Sequence, residues 1–211
     1  MRSSVLLPKG FHGDRFLIEA VHSVLKDAEY FVETGTNVGS TIRFVATKYN
    51  AIQCLSCEPD ENGFRSAGCN TQGLDNVELH NVDAITFLNT LPSVLPATGK
   101  RVVCWLDAHG CGFRWPLREE VDFFTKRYPD AIIFIDDFKV PGNDKFGYDQ
   151  YDGQECSLSY IRDVISDDAF EIGYPTYSEH TSSFHPLRGW CVLRRGEESN
   201  TAIPHCTFET V

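Results

Sequence analysis

Four acidic residues carry the strongest chemical signal in this sequence, because each follows a short apolar, β-rich run: Glu33, Glu58, Asp107 and Asp136. If these runs are parallel strands of one sheet, their carboxyl ends share an edge and the side chains that follow them converge there. Crowded like charges raise the free energy unless cations, hydrogen-bond donors or ligand hydroxyls compensate them. We therefore expect a ligand site at that edge.

A glycine turn follows the first of these runs and reads Glu-Thr-Gly-Thr-Asn-Val-Gly-Ser over residues 33–40. Gly35 permits a tight turn and a close approach to a ligand, and Gly39 lets the next helix pack close to the strand. The free backbone amides at the start of a helix favour electron-rich ligand groups. Thr36 stands where a dinucleotide-binding turn has its middle glycine, which argues against a pyrophosphate ligand.

Two further acidic residues extend this pattern along the chain. Glu58 lies about 20 residues after Gly39, where an acidic side chain can accept hydrogen bonds from both hydroxyls of a ribose. Asp83 and Ala84 follow the third apolar run and begin a helical pattern. Asp83 is either the N-cap of that helix or a contact on the adenine side of a nucleoside, and the sequence leaves both interpretations open.

The combination of a glycine turn with acidic residues at three successive strand ends resembles the class I S-adenosylmethionine-dependent methyltransferases, over roughly residues 28 to 195. The resemblance implies that the first motif holds the methionine part of the cofactor, Glu58 its ribose and Asp83 its adenine. It also implies a doubly wound α/β fold, Rossmann-like, with seven mostly parallel strands, helices on both faces and a reversed last strand at 190–194. The expected cofactor-binding residues are Glu33, Thr34, Gly35, Thr36, Asn37, Gly39, Ser40, Glu58, Asp83 and Ala84.

The same resemblance makes the fourth and fifth strands neighbours, so that Asp107, Asp136 and Asp137 should meet. Three carboxylates suit Mg²⁺, Ca²⁺ or Mn²⁺, as in the metal-dependent O-methyltransferases of the catechol and macrolide-sugar types. A metal there would lower the pKa of a substrate hydroxyl, with Asp107 and Asp136 at the reaction centre and His109 accepting the proton. The alternatives are that the aspartates bond only to loop amides or cap a bend, and that His109 is a turn residue.

Short apolar runs alternate with amphipathic stretches, which predicts β-α units and a parallel sheet in a single α/β domain over residues 1–211. Strands are predicted at 30–32, 52–57, 77–80, 101–106, 131–135, 170–174 and 190–194, and helices at 14–26, 41–49, 60–71, 84–91, 117–128 and 157–165. The Gly- and Tyr-rich segment 138–153 is predicted to be a long loop that covers the site, with Lys139, Tyr148, Tyr151 and Arg188 as substrate contacts.

Charge and cysteine usage narrow the class of protein. The formal net charge is −11 and basic residues form no stripe, so nucleic acid is a poor partner. Several of the eight cysteines lie in apolar runs, and no second pair completes a zinc site with Cys54-x-x-Cys57, so they read as buried thiols in a reducing compartment. No signal peptide or membrane-spanning run is present, which predicts a cytoplasmic protein without a membrane partner.

These features together predict S-adenosylmethionine-dependent methylation of a hydroxyl group on a small molecule or a sugar. Two alternatives remain open at this point. The same fold could use its carboxylates for metal-assisted hydroxylation or hydrolysis, or it could be a non-catalytic module that binds a nucleoside. The sequence does not determine which molecule accepts the methyl group, or whether the chain is a monomer or a homodimer.

Overall fold

The computed structural model describes residues 9–96, 99–108, 115–165, 169–179, 186–196 and 202–211. Its helices are α1 (Arg15–Leu25), α2 (Ser40–Lys48), α3 (Glu61–Asn70), α4 (Ala84–Thr90), α5 (Leu117–Arg127) and α6 (Leu158–Ile161). Its strands are β1 (Tyr30–Thr34), β2 (Gln53–Cys57), β3 (Val77–His80), β4 (Val102–Leu106), β5 (Ile132–Asp136), β6 (Gln150–Tyr151), β7 (Gln154–Glu155), β8 (Phe170–Pro175), β9 (Trp190–Arg195) and β10 (Cys206–Thr210). No helix in this part of the chain combines the length and hydrophobicity needed to cross a bilayer.

The main sheet has eight strands in the order β10-β8-β9-β5-β4-β1-β2-β3. Strands β1 to β5 run parallel to one another, whereas β9 runs antiparallel to both β5 and β8. The predicted α/β sheet with a reversed strand near residue 190 is confirmed. The expected number of seven strands is wrong, because β10 adds an antiparallel edge next to β8.

Helices cover both faces of the sheet, as predicted, because successive side chains of a strand point to opposite faces. On one face Val32, Leu55 and Cys104 pack with residues of α4 and α5. On the other face Phe31 and Val103 pack with residues of α1 and α2.

The two cysteines of the Cys54-x-x-Cys57 pair lie in these opposite cores, so they cannot share one metal ion. Burial raises the pKa of the Cys54 thiol to about 12 and that of Cys57 well above its usual value. The interpretation of this pair as small buried hydrophobic residues is therefore confirmed.

The strand register brings the predicted acidic residues to one edge. Thr34 is aligned with both Cys57 and Leu106, and Leu106 is aligned with Ile135. The residues one step further along these strands therefore stand side by side: Gly35, Glu58, Asp107 and Asp136. Two of the acidic residues lie within a strand and not after it, since β1 continues to Thr34 and β5 includes Asp136.

The segment predicted as a plain loop over 138–153 contains structure of its own. The short strands β6 and β7 form an antiparallel hairpin at its end. The Lys139 amide donates to the Cys156 carbonyl at 2.7 Å, and Gly147 forms a parallel bridge with Arg188. Backbone pairing at both ends therefore fixes this segment next to β5 and β9.

The turn between β1 and α2 packs very closely against the end of β4. Gly35 has a φ of +82°, and a Cβ atom there would lie 2.3 Å from the Asp107 carbonyl oxygen. Gly39 has a φ of +81°, and a Cβ atom there would lie 3.0 Å from the Ala67 Cα atom. Both glycines of the predicted motif are thus required by backbone conformation and by space.

The substitution Gly35→Ala tests this close approach, with Gly73→Ala as its matched control. Gly73 has a φ of +84° but no atom within 4 Å of an added Cβ, so the two variants share the conformational cost of roughly 1 kcal/mol. Only Gly35→Ala adds a backbone clash, so we expect it to lower the free energy of unfolding in urea by at least about 2 kcal/mol more. Equal losses in the two variants would contradict the described contact.

Candidate active site

A cavity of about 170 Å³ lies at the carboxyl ends of β1 and β4. Its walls include most of the predicted methionine-binding motif, together with one carboxylate that directly follows β4 and several residues that the sequence did not indicate. The lining residues are Lys9, His12, Glu33, Gly35, Thr36, Asn37, Val38, Ser40, Thr41, Trp105 and Asp107. Thr34 does not line this cavity, because its side chain is buried in the sheet.

The Glu33 carboxyl group is completely buried in the wall of the cavity. Its Oε2 atom accepts a hydrogen bond from Ser56 Oγ at 2.6 Å, and Ser56 Oγ in turn lies 2.5 Å from Thr36 Oγ1. Desolvation raises the pKa of Glu33 well above its usual value, and the nearby Asp107 and Glu58 raise it further, against the hydrogen bond from Ser56. A carboxyl group in this position favours a positively charged ligand, since a nearby positive charge stabilises the ionised form of the carboxyl group.

Glu58 forms a hydrogen bond with the glycine turn at Asn37. Its carboxylate accepts hydrogen bonds from the Asn37 amide at 2.6 Å and from the Asp60 amide at 2.9 Å. Each oxygen accepts one of these bonds, and a carboxylate oxygen has two acceptor positions. Glu58 can therefore accept two further hydrogen bonds from a diol such as a ribose.

Asp83 caps helix α4. Its carboxylate accepts hydrogen bonds from the Thr86 amide at 3.0 Å and from the Thr86 hydroxyl at 2.8 Å, which lower the pKa of Asp83. Ala84 is buried at the start of the same helix. The N-cap interpretation is confirmed, while the contact of Asp83 and Ala84 with an adenine stays a prediction.

The predicted aspartate cluster forms at the ends of β4 and β5. Asp107, Asp136 and Asp137 each place a carboxylate oxygen within 4.8 Å of the others. Two oxygen ligands on opposite sides of Ca²⁺ or Mg²⁺ are separated by about 4 to 5 Å, so the spacing fits a divalent cation. Asp136 also accepts a bond from the Asp137 amide at 2.8 Å, which is the loop-amide role considered as an alternative.

Two basic side chains face this cluster. His12 Nε2 lies 2.6 Å from Asp136 Oδ2, and Arg188 Nε lies 2.6 Å from Asp137 Oδ1. Arg188 also reaches Asp149 Oδ1, at 3.3 Å, in the segment that follows β5. The Arg188 guanidinium, which we predicted as a substrate contact, thus joins the cluster to the neighbouring loop.

His12 was not predicted by sequence reasoning and is the main addition to the site. Asp136 raises the pKa of His12 from 6.5 to about 9, against desolvation by burial, and Asp107 and Asp137 add to the increase. The imidazole is therefore positively charged at neutral pH. His109, predicted as the proton acceptor, lies outside the described residues.

Aromatic packing and one tyrosine hydroxyl hold His12 in place. Phe11 packs edge-on against Trp105 of β4, with 5.0 Å between ring centres. Asp14, the N-cap of α1, accepts a hydrogen bond from Tyr177 Oη at 2.6 Å, and that hydroxyl accepts one from Trp190 Nε1 at 2.8 Å. The turn before α1 is thus fixed to β4 on one side and to β9 on the other.

The other predicted substrate contacts interact with neighbouring side chains of the protein. Lys139 Nζ lies 2.7 Å from both carboxylate oxygens of Glu155, and Tyr148 Oη donates to the same carboxylate at 2.9 Å. Tyr151 packs edge-on against Trp115, with 4.8 Å between ring centres. A direct contact of Lys139, Tyr148 or Tyr151 with a substrate stays a prediction.

Comparison with solved structures finds the same fold at low sequence identity. The O-methyltransferase TomG from Streptomyces achromogenes, involved in tomaymycin synthesis and solved with S-adenosylmethionine, has a TM-score of 0.61 and 17% identity over 85% of this chain and 78% of its own. The O-methyltransferase from Bacillus cereus, solved with S-adenosylhomocysteine, has a TM-score of 0.56 and 13% identity over 85% of this chain and 80% of its own. Cofactor-bound Rv0187 from MTB has a TM-score of 0.55 and 16% identity over 87% of this chain and 80% of its own. No family model and no curated protein sequence matches the chain.

The ion pair between His12 and Asp136 predicts a pH-dependent contribution to stability. Because the folded-state pKa of His12 lies above the ordinary value of 6.5, the pair stabilises the fold fully below about pH 6.5 and loses this effect as the pH rises through about 9. Over this pH range the contribution of the pair to the free energy of unfolding changes by at most about 3 kcal/mol. We expect His12→Asn, which tolerates the positive φ at this position, to destabilise the protein at pH 6 much more than at pH 10.

The matched control is His205→Asn, measured by urea unfolding in the same buffers. His205 also has a positive φ and lies 2.7 Å from a carboxylate, that of Glu19, but this partner is 43% exposed. Exposed pairs contribute only about 0–1 kcal/mol. A loss for His12→Asn that is independent of pH, or no larger than that of the control, would show that the buried pair is not formed.

Proposed function

We propose that this protein is an S-adenosylmethionine-dependent methyltransferase that acts on a hydroxyl group of a small molecule or sugar. The observation that carries the proposal is the convergence of Glu33 and Glu58 on the Gly35 turn, directly beside the aspartate cluster at the ends of β4 and β5. The shared fold with cofactor-bound O-methyltransferases supports the same function.

The residues that line the cavity, together with Glu58 directly after β2, fit this cofactor in charge and in hydrogen bonding. The buried Glu33 carboxyl and the Asp107 carboxylate suit the ammonium and sulfonium groups of the cofactor. The two remaining acceptor positions of Glu58 suit its ribose hydroxyls, about one strand spacing away along the edge of the sheet. When bound, the cofactor supplies a methyl group attached to a positively charged sulfur.

The chain itself would contribute positioning and charge. Asp107 is the least buried aspartate of the cluster and lines the cavity, where its carboxylate could accept a hydrogen bond from the acceptor hydroxyl and orient its oxygen. Asp136 and His12 hold each other, and Asp137 and Arg188 do the same, which keeps the geometry around Asp107 fixed. Since direct transfer to an oxygen needs no covalent help from the protein, orientation and removal of one proton are the main requirements.

A divalent cation on the aspartate cluster remains part of the proposal. Asp107, Asp136 and Asp137 would hold the ion, and its chemistry would be to lower the pKa of a bound hydroxyl. The spacing of the carboxylate oxygens supports this ligand set. The two positive side chains at the cluster oppose it, so we expect weak binding of the metal.

Titration with Mn²⁺, followed by electron paramagnetic resonance, tests the cation directly. Asp136→Asn removes one ligand charge, so we expect Mn²⁺ affinity to fall by about 10-fold or more. Asp152→Asn is the control, because Asp152 is an exposed residue of the β6–β7 turn whose positive φ asparagine tolerates. Equal affinities in both variants would place any bound Mn²⁺ elsewhere.

Isothermal titration calorimetry with S-adenosylhomocysteine tests the proposed cofactor. We expect the wild-type chain to bind it and Glu58→Gln to bind about 10-fold or more weakly, because a hydrogen bond to a charged group is worth about 1.5–3 kcal/mol. Glu61→Gln is the control, since Glu61 is an exposed residue of the same helix region that pairs with Arg65. No heat of binding at about 1 mM ligand, with protein shown to be folded, would end this proposal.

A further inference from the structure

A second and larger cavity adjoins the first, and we propose that it binds a small organic anion with an apolar body, such as an aromatic carboxylate. The cavity has a volume of about 520 Å³ and lies between Lys9 and Gly10, helix α1 and helix α2. This volume is in the range of small-molecule sites. We refer to it as the α1–α2 groove.

The floor of the α1–α2 groove is apolar. Ile18 of α1 and Phe44 of α2 both line it and are only partly buried, although each also packs against the core. The Phe44 ring is fixed by an edge-on contact with Phe11, with 5.8 Å between ring centres. Apolar surface in a concave site favours a ligand with a hydrophobic body.

The rim of the groove is positively charged, in contrast to the protein as a whole. Lys9, Arg43 and Lys48 line the groove, whereas the formal net charge of the chain is −11. Arg43 and Lys48 form no ion pair within the described part of the chain, and helix α2 contains no acidic residue that could neutralise them. An anionic group on the ligand would complement these charges.

The α2 residues that form the groove follow a helical pattern. Arg43 and Phe44 follow Ser40 by three and four residues, and Lys48 follows Phe44 by four, so these residues lie on one side of α2, while Ile42 and Val45 point into the core. The outer face of α2 therefore combines an aromatic ring with two cations. This combination fits an amphipathic anion better than it fits either water or an uncharged ligand.

The hydroxyl group of Ser40 independently supports a ligand at the point where the two cavities meet. Its hydroxyl oxygen is buried and has no hydrogen-bond partner within the described structure, and Ser40 lines both cavities. A buried hydroxyl without a partner costs about 1–3 kcal/mol, so a polar ligand atom at this point would recover that loss. Lys9 also lines both cavities, which makes the two ligands neighbours.

The proposal is tested by direct binding of 2-naphthoate and of its uncharged analogue 2-naphthamide to the full chain, by calorimetry. We expect 2-naphthoate to bind at least about 10-fold more tightly than 2-naphthamide. The double substitution Arg43→Gln and Lys48→Gln should remove this preference. The matched control is Arg65→Gln with Lys126→Gln, which removes two exposed cations from α3 and α5.

The results of these measurements distinguish an anion site from a site without charge preference and from an interface between two copies of the chain. Equal binding of the two ligands, or a preference retained after Arg43 and Lys48 are replaced, would overturn it. Analytical ultracentrifugation of the same proteins shows whether a second copy of the chain occupies the groove, since a dimer that dissociates in the Arg43 and Lys48 variant would also overturn it. Because binding is measured without methyl transfer, either result is independent of the proposed enzymatic function.

Discussion

Repulsion between carboxyl groups at one edge of the sheet is the constraint on which the rest of the site depends. The parallel register of β1, β2, β4 and β5 leaves no freedom to separate them. The protein compensates these carboxyl groups in different ways. Burial raises the pKa of Glu33, Glu58 accepts hydrogen bonds from two backbone amides, and Asp136 and Asp137 each face a basic side chain.

Because the carboxyl groups are compensated differently, this edge of the sheet has two regions with different ligand preferences. Around Glu33 and Glu58 the described hydrogen bonds come from the Ser56 hydroxyl and from backbone amides, and these carboxyl groups suit a ligand that brings positive charge and hydroxyl donors. Around Asp136 and Asp137 the protein supplies the positive charge itself through His12 and Arg188. The half-buried Asp107 lies between the two regions and lines the cavity.

Much of this arrangement could be predicted from local sequence patterns, and the remainder depends on contacts between distant segments. Strands such as β4 and β5 are continuous apolar runs, and α1 has a regular apolar stripe with Asp14 as its cap, so both types of element were predicted within one or two residues. Strand β10 was missed because its residues are mostly exposed and partly polar, and it is held by backbone pairing with β8. His12 was missed because its partner Asp136 is 124 residues away and no pattern around residue 12 indicates the sheet edge.

A crystal structure of the chain with S-adenosylhomocysteine tests the proposed cofactor site most directly. We expect both ribose hydroxyls to lie within about 3.2 Å of the Glu58 carboxylate and the amino-acid part of the ligand to lie over the Gly35 turn beside Glu33. A ligand bound elsewhere on the protein, with Glu33 and Glu58 in contact only with their present partners, would contradict it.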